Sequence, residues 1–271
     1  MVSIPRCCVP PSTAFRTCPF VIVGLLGPTN LFKKRFNSAI EFYYSKHSRN
    51  HKHIMSLKPI TIYGHAGGPN PWKVIMVMEE LNIPYVHQIV DFADMKKEPF
   101  ESVNPNGRVP AIEDPNTDIT LWESGAIVEY LVETYDKQNT ISFANGSKEY
   151  FQAKQWLHFQ VSGQGPYFGQ AVWFSRYHPE KIQSAVDRYV KEIRRVSGVL
   201  ERALQGKQYL VGDSYSYADA AFVPWYLIAP MFEIDMEKDF PTTAAWLKRV
   251  QDRPAVAKAI QDRAEAMAKH H

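Results

Sequence analysis

The chain has 271 residues, of which 45% are hydrophobic and 22% are charged, and its formal net charge is +3. This length is enough for two ordinary domains with a substantial buried core. So mild a basic excess gives no support to a nucleic-acid partner. The longest apolar run near the start, residues 20–26, lies between two prolines and falls far short of the roughly 18 residues of a membrane span, so no membrane partner is predicted.

Residues 1–54 differ in composition from the rest of the chain. They contain eight Lys and Arg residues against one acid, a net charge of +7, whereas the remaining residues carry a net charge of −4. No periodic pattern runs through this segment, and we expect it to be disordered. A basic segment with so few acids is typical of a mitochondrial presequence. The alternative is a stretch upstream of the true start, since Met55 directly precedes a strand pattern.

The cysteines are confined to the same segment. They are Cys7, Cys8 and Cys18, so the sequence from residue 19 onward predicts no disulfide framework.

Residues 60–90 predict a strand, a helix and a second strand. The β-branched and aromatic run 60–63 ends at a glycine, which is typical of a strand. Apolar residues at helical spacing extend over 72–81, with Pro71 at the first helical position, where its missing N–H costs nothing. We expect the helix to stop at Asn82, because the residue preceding a proline avoids helical dihedrals. Residues 85–90 then form the second strand.

Residues 103–126, VNPNGRVPAIEDPNTDITLWESGA, predict two further strands and a second helix. Short β-like runs at 111–112 and 119–121 flank a turn, and Ser124 is expected to cap a helix. The inner face of that helix is formed by Ile127, Val128, Leu131 and Val132. The order βαβ and then ββα, over about 80 residues, predicts an α/β thioredoxin-like domain.

The predicted domain lacks the thiol of a redox thioredoxin. Such proteins carry Cys-x-x-Cys at the start of the first helix, where the helix dipole stabilises a thiolate. Residues 68–72 hold no cysteine. Any sulfur chemistry at this place therefore requires a sulfur supplied by a ligand.

Two features of the 103–126 stretch predict a peptide-binding site. A cis bond between Val109 and Pro110 would turn the backbone N–H and C=O of Val109 outward, toward an extended peptide. Glu123 and Ser124 lie at a helix N-terminus, where free N–H groups bind a carboxylate and Glu123 can bind an α-ammonium. A short peptide with an amino-acid end and a central thiol fits this description, and glutathione is such a peptide.

The motifs NPNGRVPA and ESGAI closely resemble the glutathione-site signature of the glutathione transferase superfamily. Within it, PNPWKVIMVMEEL and SGQGPYFGQAVWF resemble the fungal subgroup related to the yeast nitrogen catabolite repression regulator, and the bacterial nu class. The resemblance runs from about Lys58 to Ala257. It implies glutathione as co-substrate, no metal, a homodimer, and a cytoplasmic location, or a mitochondrial one if residues 1–54 are a presequence.

The resemblance also implies particular site residues. An Asn before the first helix approaches the glutathione sulfur in that subgroup, and Asn70 matches it; its amide would stabilise the thiolate. The alternative is that Asn70 only caps the helix. Nu-class members carry a Thr two residues earlier, where this chain has Gly68. The predicted glutathione-binding set is Asn70, Trp72, Lys73, Arg108, Val109, Pro110, Glu123 and Ser124.

Several of these assignments have alternatives. Lys73 contacts the glycine carboxylate of glutathione or lies exposed on the first turn, and Arg108 lies near the site or in an exposed turn. Tyr63 and His65 are possible activators of the thiol, although we expect Tyr63 to face the core and His65 to be a surface residue.

The second half of the sequence predicts helices throughout. A linker at 143–148 separates the thioredoxin-like domain, residues 55–140, from an all-α domain, residues 149–271. Glycines and a proline within 162–174 predict a kink in the first long helix. The aromatic residues there include Phe174, and three of them, Tyr167, Phe168 and Trp173, are expected to line an apolar pocket for the second substrate. The alternative for each one taken alone is a place in the core. Ser216 and Asp219 have the spacing of a structural capping box.

The sequence therefore predicts the architecture of a cytosolic glutathione transferase. We expect it to conjugate the glutathione thiolate to an apolar electrophile, in detoxification or in fungal secondary metabolism. A glutathione-dependent disulfide reductase is the alternative enzyme. A binding protein without conjugating activity, like the nitrogen regulator, is the alternative of another class, although residues 1–54 contain three Asn and no Gln and so lack that regulator's Asn/Gln-rich composition.

Overall fold

Residues 57–270 are described by a computed structural model, and they belong to one compact unit. The predicted disorder or presequence of residues 1–54 and the three cysteines lie outside the described residues.

A four-stranded sheet comes first in the chain. Its strands are β1 (Ile60–Gly64), β2 (Tyr85–Ile89), β3 (Ala111–Asp114) and β4 (Ile119–Trp122), in the order β2-β1-β3-β4. β1 runs parallel to β2, pairing Ile60 with Tyr85, and antiparallel to β3, pairing Ile62 with Ile112. β4 pairs antiparallel with β3. This mixed sheet confirms the predicted thioredoxin-like arrangement, with β3 and β4 one or two residues longer than the sequence indicated.

The first helix, α1 (Pro69–Glu80), begins earlier than predicted. Gly68 occupies the N-cap position, so Pro69 and not Pro71 is the first helical residue. Both prolines are tolerated because the first N–H groups of a helix have no intrahelical partner. α1 lies between the sheet and two C-terminal helices, which explains why residues 71–78 are all buried.

The connection to the rest of the sheet contains a short helix that the sequence pattern did not reveal, α2 (Phe100–Val103). α3 (Ser124–Tyr135) follows β4, and its predicted apolar face is buried. The predicted cap is wrong: Ser124 is the first helical residue and Glu123 holds the cap position, without a side-chain cap hydrogen bond. The hydroxyl of Ser124 instead accepts a hydrogen bond from Lys73.

The helical part begins at α4 (Lys148–Phe159), whose N-cap Ser147 accepts a hydrogen bond from the Tyr150 N–H at 3.0 Å. It continues through a π-helical turn (Gln160–Gln164), α5 (Gly165–Val172) and a second π turn (Trp173–Tyr177). The predicted kink at the glycines is therefore a π turn, in which the helix continues with a locally widened hydrogen-bond pattern.

The remaining elements are α6 (Gln183–Ala203), α7 (Tyr217–Tyr226), a 3₁₀ turn (Ala229–Phe232), α8 (Met236–Asp239), α9 (Pro241–Gln251) and α10 (Pro254–Lys269). α7 is buried along its whole length, and the predicted capping box between Ser216 and Asp219 is present.

The sheet part and the helical part share one core, because α1 packs against both α7 and α10. Arg253 reinforces this contact through a two-pronged ion pair with Glu80, at 2.6 and 2.8 Å. Among residues 57–270, no helix combines the length and apolar character needed to cross a membrane.

Candidate functional site

Two adjoining cavities lie between the sheet part and the helical part. The first, of about 460 Å³, is named the Lys73 cavity; its lining includes Asn70, Lys73, Arg108, Glu123 and Ser124. The second, of about 680 Å³, is named the Arg263 cavity; its lining includes His65, Phe92, Arg176, Tyr177 and Arg263. The residues that border both are Arg108, Gly169, Trp173 and Trp225. Ligands in the two cavities would therefore meet at this shared wall.

Lys73 lies at the bottom of the Lys73 cavity rather than on the surface. Its side chain is 1% exposed, and its Nζ donates a hydrogen bond to Ser124 Oγ at 2.9 Å. Burial lowers the pKa of Lys73 to about 7, although the charge of Glu123 opposes this shift. A carboxylate bound beside Lys73 would favour its charged form.

The N-terminus of α3 provides donors for an anion. The first helical hydrogen bond runs from Ile127 N–H to Glu123 C=O, which leaves the N–H groups of residues 124–126 without an intrahelical partner. Glu123 has a φ of 73°, an uncommon and strained conformation for a residue with a side chain. The free N–H groups and the Glu123 carboxylate thus complement the carboxylate and the ammonium of an amino acid.

A glycine allows this helix end to reach the helical part. A side chain at Gly125 would bring its Cβ within 3.2 Å of the Val161 side chain, on the first π turn. The contact places the N-terminus of α3 against the helical wall of the Lys73 cavity.

Asn70 lies in the first turn of α1, and its side chain does not cap the helix. Its Oδ1 accepts a hydrogen bond from Trp225 Nε1 at 3.0 Å. Because the indole can only donate, this bond fixes the orientation of the amide and leaves Nδ2 as a donor directed away from the indole. Asn70 therefore offers a fixed N–H donor near the wall that the two cavities share.

The turn before β3 places Arg108 on the rim of both cavities. Buried Asn104 supports this turn by donating to the Arg108 C=O and accepting from the Asn106 N–H. The Val109-Pro110 bond is cis, as the predicted geometry required. The Val109 N–H has no hydrogen-bond partner in the part of the chain that the structure describes.

Five of the predicted site residues do not line either cavity. Trp72 is buried in the core, where its Nε1 donates to the Ala66 C=O at 2.8 Å. Val109 and Pro110 directly precede β3, and the Val109 side chain packs against the buried cluster that contains Phe100. Phe168 is fully buried against Trp225 and Tyr226.

Tyr167 also points elsewhere, toward Arg195 on α6. Of the three predicted aromatic residues, Trp173 alone lines the cavities. The prediction that Tyr167 and Phe168 line the pocket is wrong, because neighbouring residues of a helix point in different directions and cannot all face one pocket.

The two alternative thiol activators have other roles. The Tyr63 hydroxyl donates to Glu113 at 2.6 Å, and burial together with this carboxylate raises the pKa of Tyr63 to about 12, so it is a poor source of a proton. His65 borders the Arg263 cavity; its Nδ1 accepts from the Gly67 N–H at 3.1 Å, and its ring lies 4.2 Å from that of Phe92.

The sequence reasoning missed several lining residues. The sequence pattern favours a core position for Trp225, because the helix that contains it is apolar apart from Asp219. Arg263, on α10, donates from Nη2 to the Gly67 C=O at 3.0 Å, a contact across 196 residues of sequence that no local pattern indicates. Among the described residues, no group of three His, Cys, Asp or Glu side chains could hold a metal ion.

Two family models match the chain. Residues 67–134 match "Glutathione S-transferase, N-terminal domain", and residues 165–254 match "Glutathione S-transferase, C-terminal domain". The chain is 48% identical over 219 residues to the glutathione S-transferase-like protein tpcF of Aspergillus fumigatus, covering 76% of this chain and 96% of tpcF. The chain therefore belongs to the glutathione S-transferase family.

Within this family the chain resembles the Ure2-like proteins of fungi. It is 36% identical over 242 residues to protein URE2 of Saccharomyces bayanus, covering 76% of this chain and 70% of that protein. The transferase URE2P6 of Phanerochaete chrysosporium, solved with oxidized glutathione, has 49% identity and a TM-score of 0.75, covering 77% of this chain and 98% of that chain. Ure2p5 of the same fungus, crystallised with 1-(S-glutathionyl)-2,4-dinitrobenzene, has 40% identity and a TM-score of 0.72. The match covers 79% of this chain and 98% of that chain.

Proposed function

We propose that the chain binds glutathione in the Lys73 cavity and transfers its thiolate to an electrophile in the Arg263 cavity. Glu123 would bind the α-ammonium of the glutamyl end, and the free N–H groups at the N-terminus of α3 would bind its carboxylate. The sulfur would then lie near Asn70, and the electrophile beyond the shared wall.

The position of Asn70 carries this proposal. Its amide is held by Trp225, which borders both cavities, so that Nδ2 is a fixed donor in the Lys73 cavity beside the shared wall. A donor hydrogen-bonded to the charged form of a thiol lowers the pKa of that thiol. The N-terminus of α1 adds its dipole in the same direction.

The chemistry is a displacement or addition in which the protein mainly binds and aligns. The thiol proton of glutathione passes to solvent, and the thiolate forms a C–S bond to the electrophilic carbon. In a displacement, the leaving group departs with the electron pair of its bond to that carbon. Holding both reactants at one wall lowers the entropic cost of their encounter.

Replacing Asn70 tests the proposal. We expect Asn70→Ala to raise the thiol pKa of bound glutathione by about one unit, because the thiolate loses its hydrogen-bond donor. The titration is followed by the ultraviolet absorbance of the thiolate in the complex. Asn145→Ala, at an exposed position in the loop before α4 and outside both cavities, is the matched control and should leave the titration as it is. An unchanged pKa in Asn70→Ala would remove Asn70 from the mechanism.

Disulfide reduction is a second candidate function. The two cavities adjoin at one wall, which leaves room for both halves of a glutathionyl disulfide, and a relative was solved with oxidized glutathione. Reduction would consume two glutathione molecules and release one oxidized glutathione per model disulfide, whereas conjugation consumes one glutathione and forms a thioether. Product analysis with one electrophile and one disulfide distinguishes them. Glutathione binding without either product would favour a regulatory binding protein.

The homodimer and the cytoplasmic location stay predictions. The particle mass in solution, measured by light scattering, tests the first, and cell fractionation tests the second.

A further inference from the structure

The Arg263 cavity has an uncompensated positive charge. Four basic side chains of Lys and Arg border it, and none of the described residues in its lining is Asp or Glu. The four are Lys96, Arg108, Arg176 and Arg263. None of them forms a salt bridge within residues 57–270. An anionic ligand would supply the missing partner.

The arginines elsewhere are arranged differently. Nine arginines lie in the described part of the chain, and four of them, Arg188, Arg194, Arg195 and Arg253, form salt bridges. Of the other five, three border the Arg263 cavity. Unpaired guanidinium groups are thus concentrated at one place.

Arg263 is held in place by a hydrogen bond to the backbone. Its Nη2 donates to the Gly67 C=O, while its Nε is buried and has no hydrogen-bond partner among the described residues. An unneutralised cation with a buried, unsatisfied donor costs free energy, and a bound anion offsets that cost.

The same cavity also exposes aromatic surface. Phe92, Trp173 and Tyr177 are 63%, 49% and 53% exposed, and all three line it. The Tyr177 ring lies 6.1 Å from that of Phe92 and 6.0 Å from that of Trp173, so the three form one cluster. Clustered exposed aromatic residues mark a binding surface, and they favour flat apolar ligands.

We propose that the Arg263 cavity selects a planar aromatic ligand that carries an anionic substituent, such as a carboxylate or an ionised phenol. The rings of the cavity wall contact the aromatic body, and the guanidinium groups bind the anion. That this ligand is the electrophile rests on the proposed transferase function; its binding does not. The sequence predicts an apolar electrophile, and this cavity specifies it further as an aromatic compound with an acidic group.

Binding is tested with a matched pair of unreactive compounds, 3,5-dinitrobenzoate and its methyl ester. S-methylglutathione is present at saturation to fill the Lys73 cavity, and tryptophan fluorescence reports binding. We expect the acid to bind about tenfold tighter than the ester, because only the acid forms charge-assisted hydrogen bonds. This preference should weaken as salt is added.

Charge variants connect the preference to the cavity. In the double variant Lys96→Gln with Arg176→Gln, both exposed residues, the ratio of acid to ester affinity should fall toward one. Arg202→Gln is the matched control, since Arg202 is also exposed and forms no salt bridge in the described part of the chain but lies outside both cavities. It should keep the ratio of the unchanged protein.

Turnover adds a second measurement. With 4-chloro-3,5-dinitrobenzoate, the thiolate attacks the carbon that bears chlorine, a C–S bond forms, and chloride leaves with the electron pair of the C–Cl bond. The thiol proton has gone to solvent, and the carboxylate is unchanged. The ratio of kcat/KM for this acid to that for its methyl ester, each divided by the uncatalysed rate constant, should exceed one and fall in the double variant.

Three results would overturn the proposal. The first is equal affinity of the unchanged protein for the acid and the ester. The second is a double variant in which the affinities for the acid and for the ester fall by the same factor. The third is displacement of dinitrobenzoate when S-methylglutathione is raised well above the concentration that fills the Lys73 cavity. That result would assign the basic residues of the Arg263 cavity to a second glutathione. Acid-selective binding without turnover would instead contradict the transferase function and leave the ligand class intact.

Discussion

The two cavities differ in how their charges are balanced. In the Lys73 cavity, Lys73 is hydrogen-bonded to Ser124 and lies near the opposite charge of Glu123, and Asn70 is held by Trp225. In the Arg263 cavity the arginines have no acidic partner among residues 57–270, and the aromatic rings are exposed.

This difference indicates two kinds of recognition. Polar groups that already hold one another in place bind a single ligand with little reorganisation. Unpaired long cations beside exposed rings can adjust to several ligands of one chemical class. We therefore interpret the Lys73 cavity as the site of a fixed co-substrate and the Arg263 cavity as the site of a variable partner.

The largest expected effect comes from a residue that supports both cavities at once. Asp219 caps α7, the helix that carries Trp225, and its carboxylate accepts four hydrogen bonds, from the Ser216 N–H and hydroxyl, the Leu210 N–H and the Trp246 indole. Asp219→Ala leaves these buried donors unsatisfied and should lower the free energy of unfolding by about 3 kcal/mol or more.

Chemical denaturation measures this loss. Asp213→Ala, an exposed aspartate in the preceding loop, is the matched control and should change stability by less than about 0.5 kcal/mol. If Asp219→Ala unfolded like the unchanged protein but lost turnover, its role would be catalytic and not structural.

The Lys73 cavity could be predicted from sequence because its residues lie in short motifs. Glu123 and Ser124 belong to one helix start, which local helix chemistry indicates as an anion site. Asn70 and Lys73 belong to another, which the family resemblance indicates. The charge state of Lys73 could not be predicted, since it depends on burial by elements distant in sequence. Trp72 shows the opposite error, a residue within a motif whose side chain faces the core.

The Arg263 cavity could not be assembled from sequence for a related reason. Its lining comes from six separate segments, from the β1–α1 loop to the end of α10, and only those of Arg108 and Trp173 lie in motifs from which a site was predicted. The predicted aromatic stretch supplied Trp173, the first residue of the second π turn. Only the packing of α1 against α10 brings Arg263 to Gly67.

A smaller effect is the pH dependence of stability and of ligand binding that the buried Lys73 gives to its cavity. Burial lowers the pKa of Lys73 from 10.5 to about 7, so between these values the folded protein holds fewer protons than the unfolded chain. Its stability should therefore rise with pH across this window. A carboxylate bound beside Lys73 raises its pKa again, so ligand binding at pH 8 should take up a fraction of a proton.

Calorimetry in buffers of different ionisation enthalpy measures that uptake. S-methylglutathione is the ligand, because it has no thiol to release a proton. Lys73→Met should abolish the uptake, whereas Lys96→Met, at the other cavity, should preserve it. Uptake that survives in Lys73→Met would place the titrating group elsewhere and contradict the binding of a carboxylate beside Lys73.

The smallest expected effect lies at the wall that the cavities share. Trp225→Phe keeps an aromatic ring but removes the indole N–H that holds Asn70 Oδ1. The Asn70 amide can then turn, so its donor reaches the thiolate for only part of the time. We expect the thiol pKa of bound glutathione to rise by less than in Asn70→Ala, by about half a unit.

Trp173→Phe is the matched control, because Trp173 lines both cavities but makes no hydrogen bond to Asn70. Because the amide is the common element, Trp225→Phe should add nothing in the Asn70→Ala background, and an additive rise in that double variant would mean that Trp225 acts on the thiolate independently of Asn70.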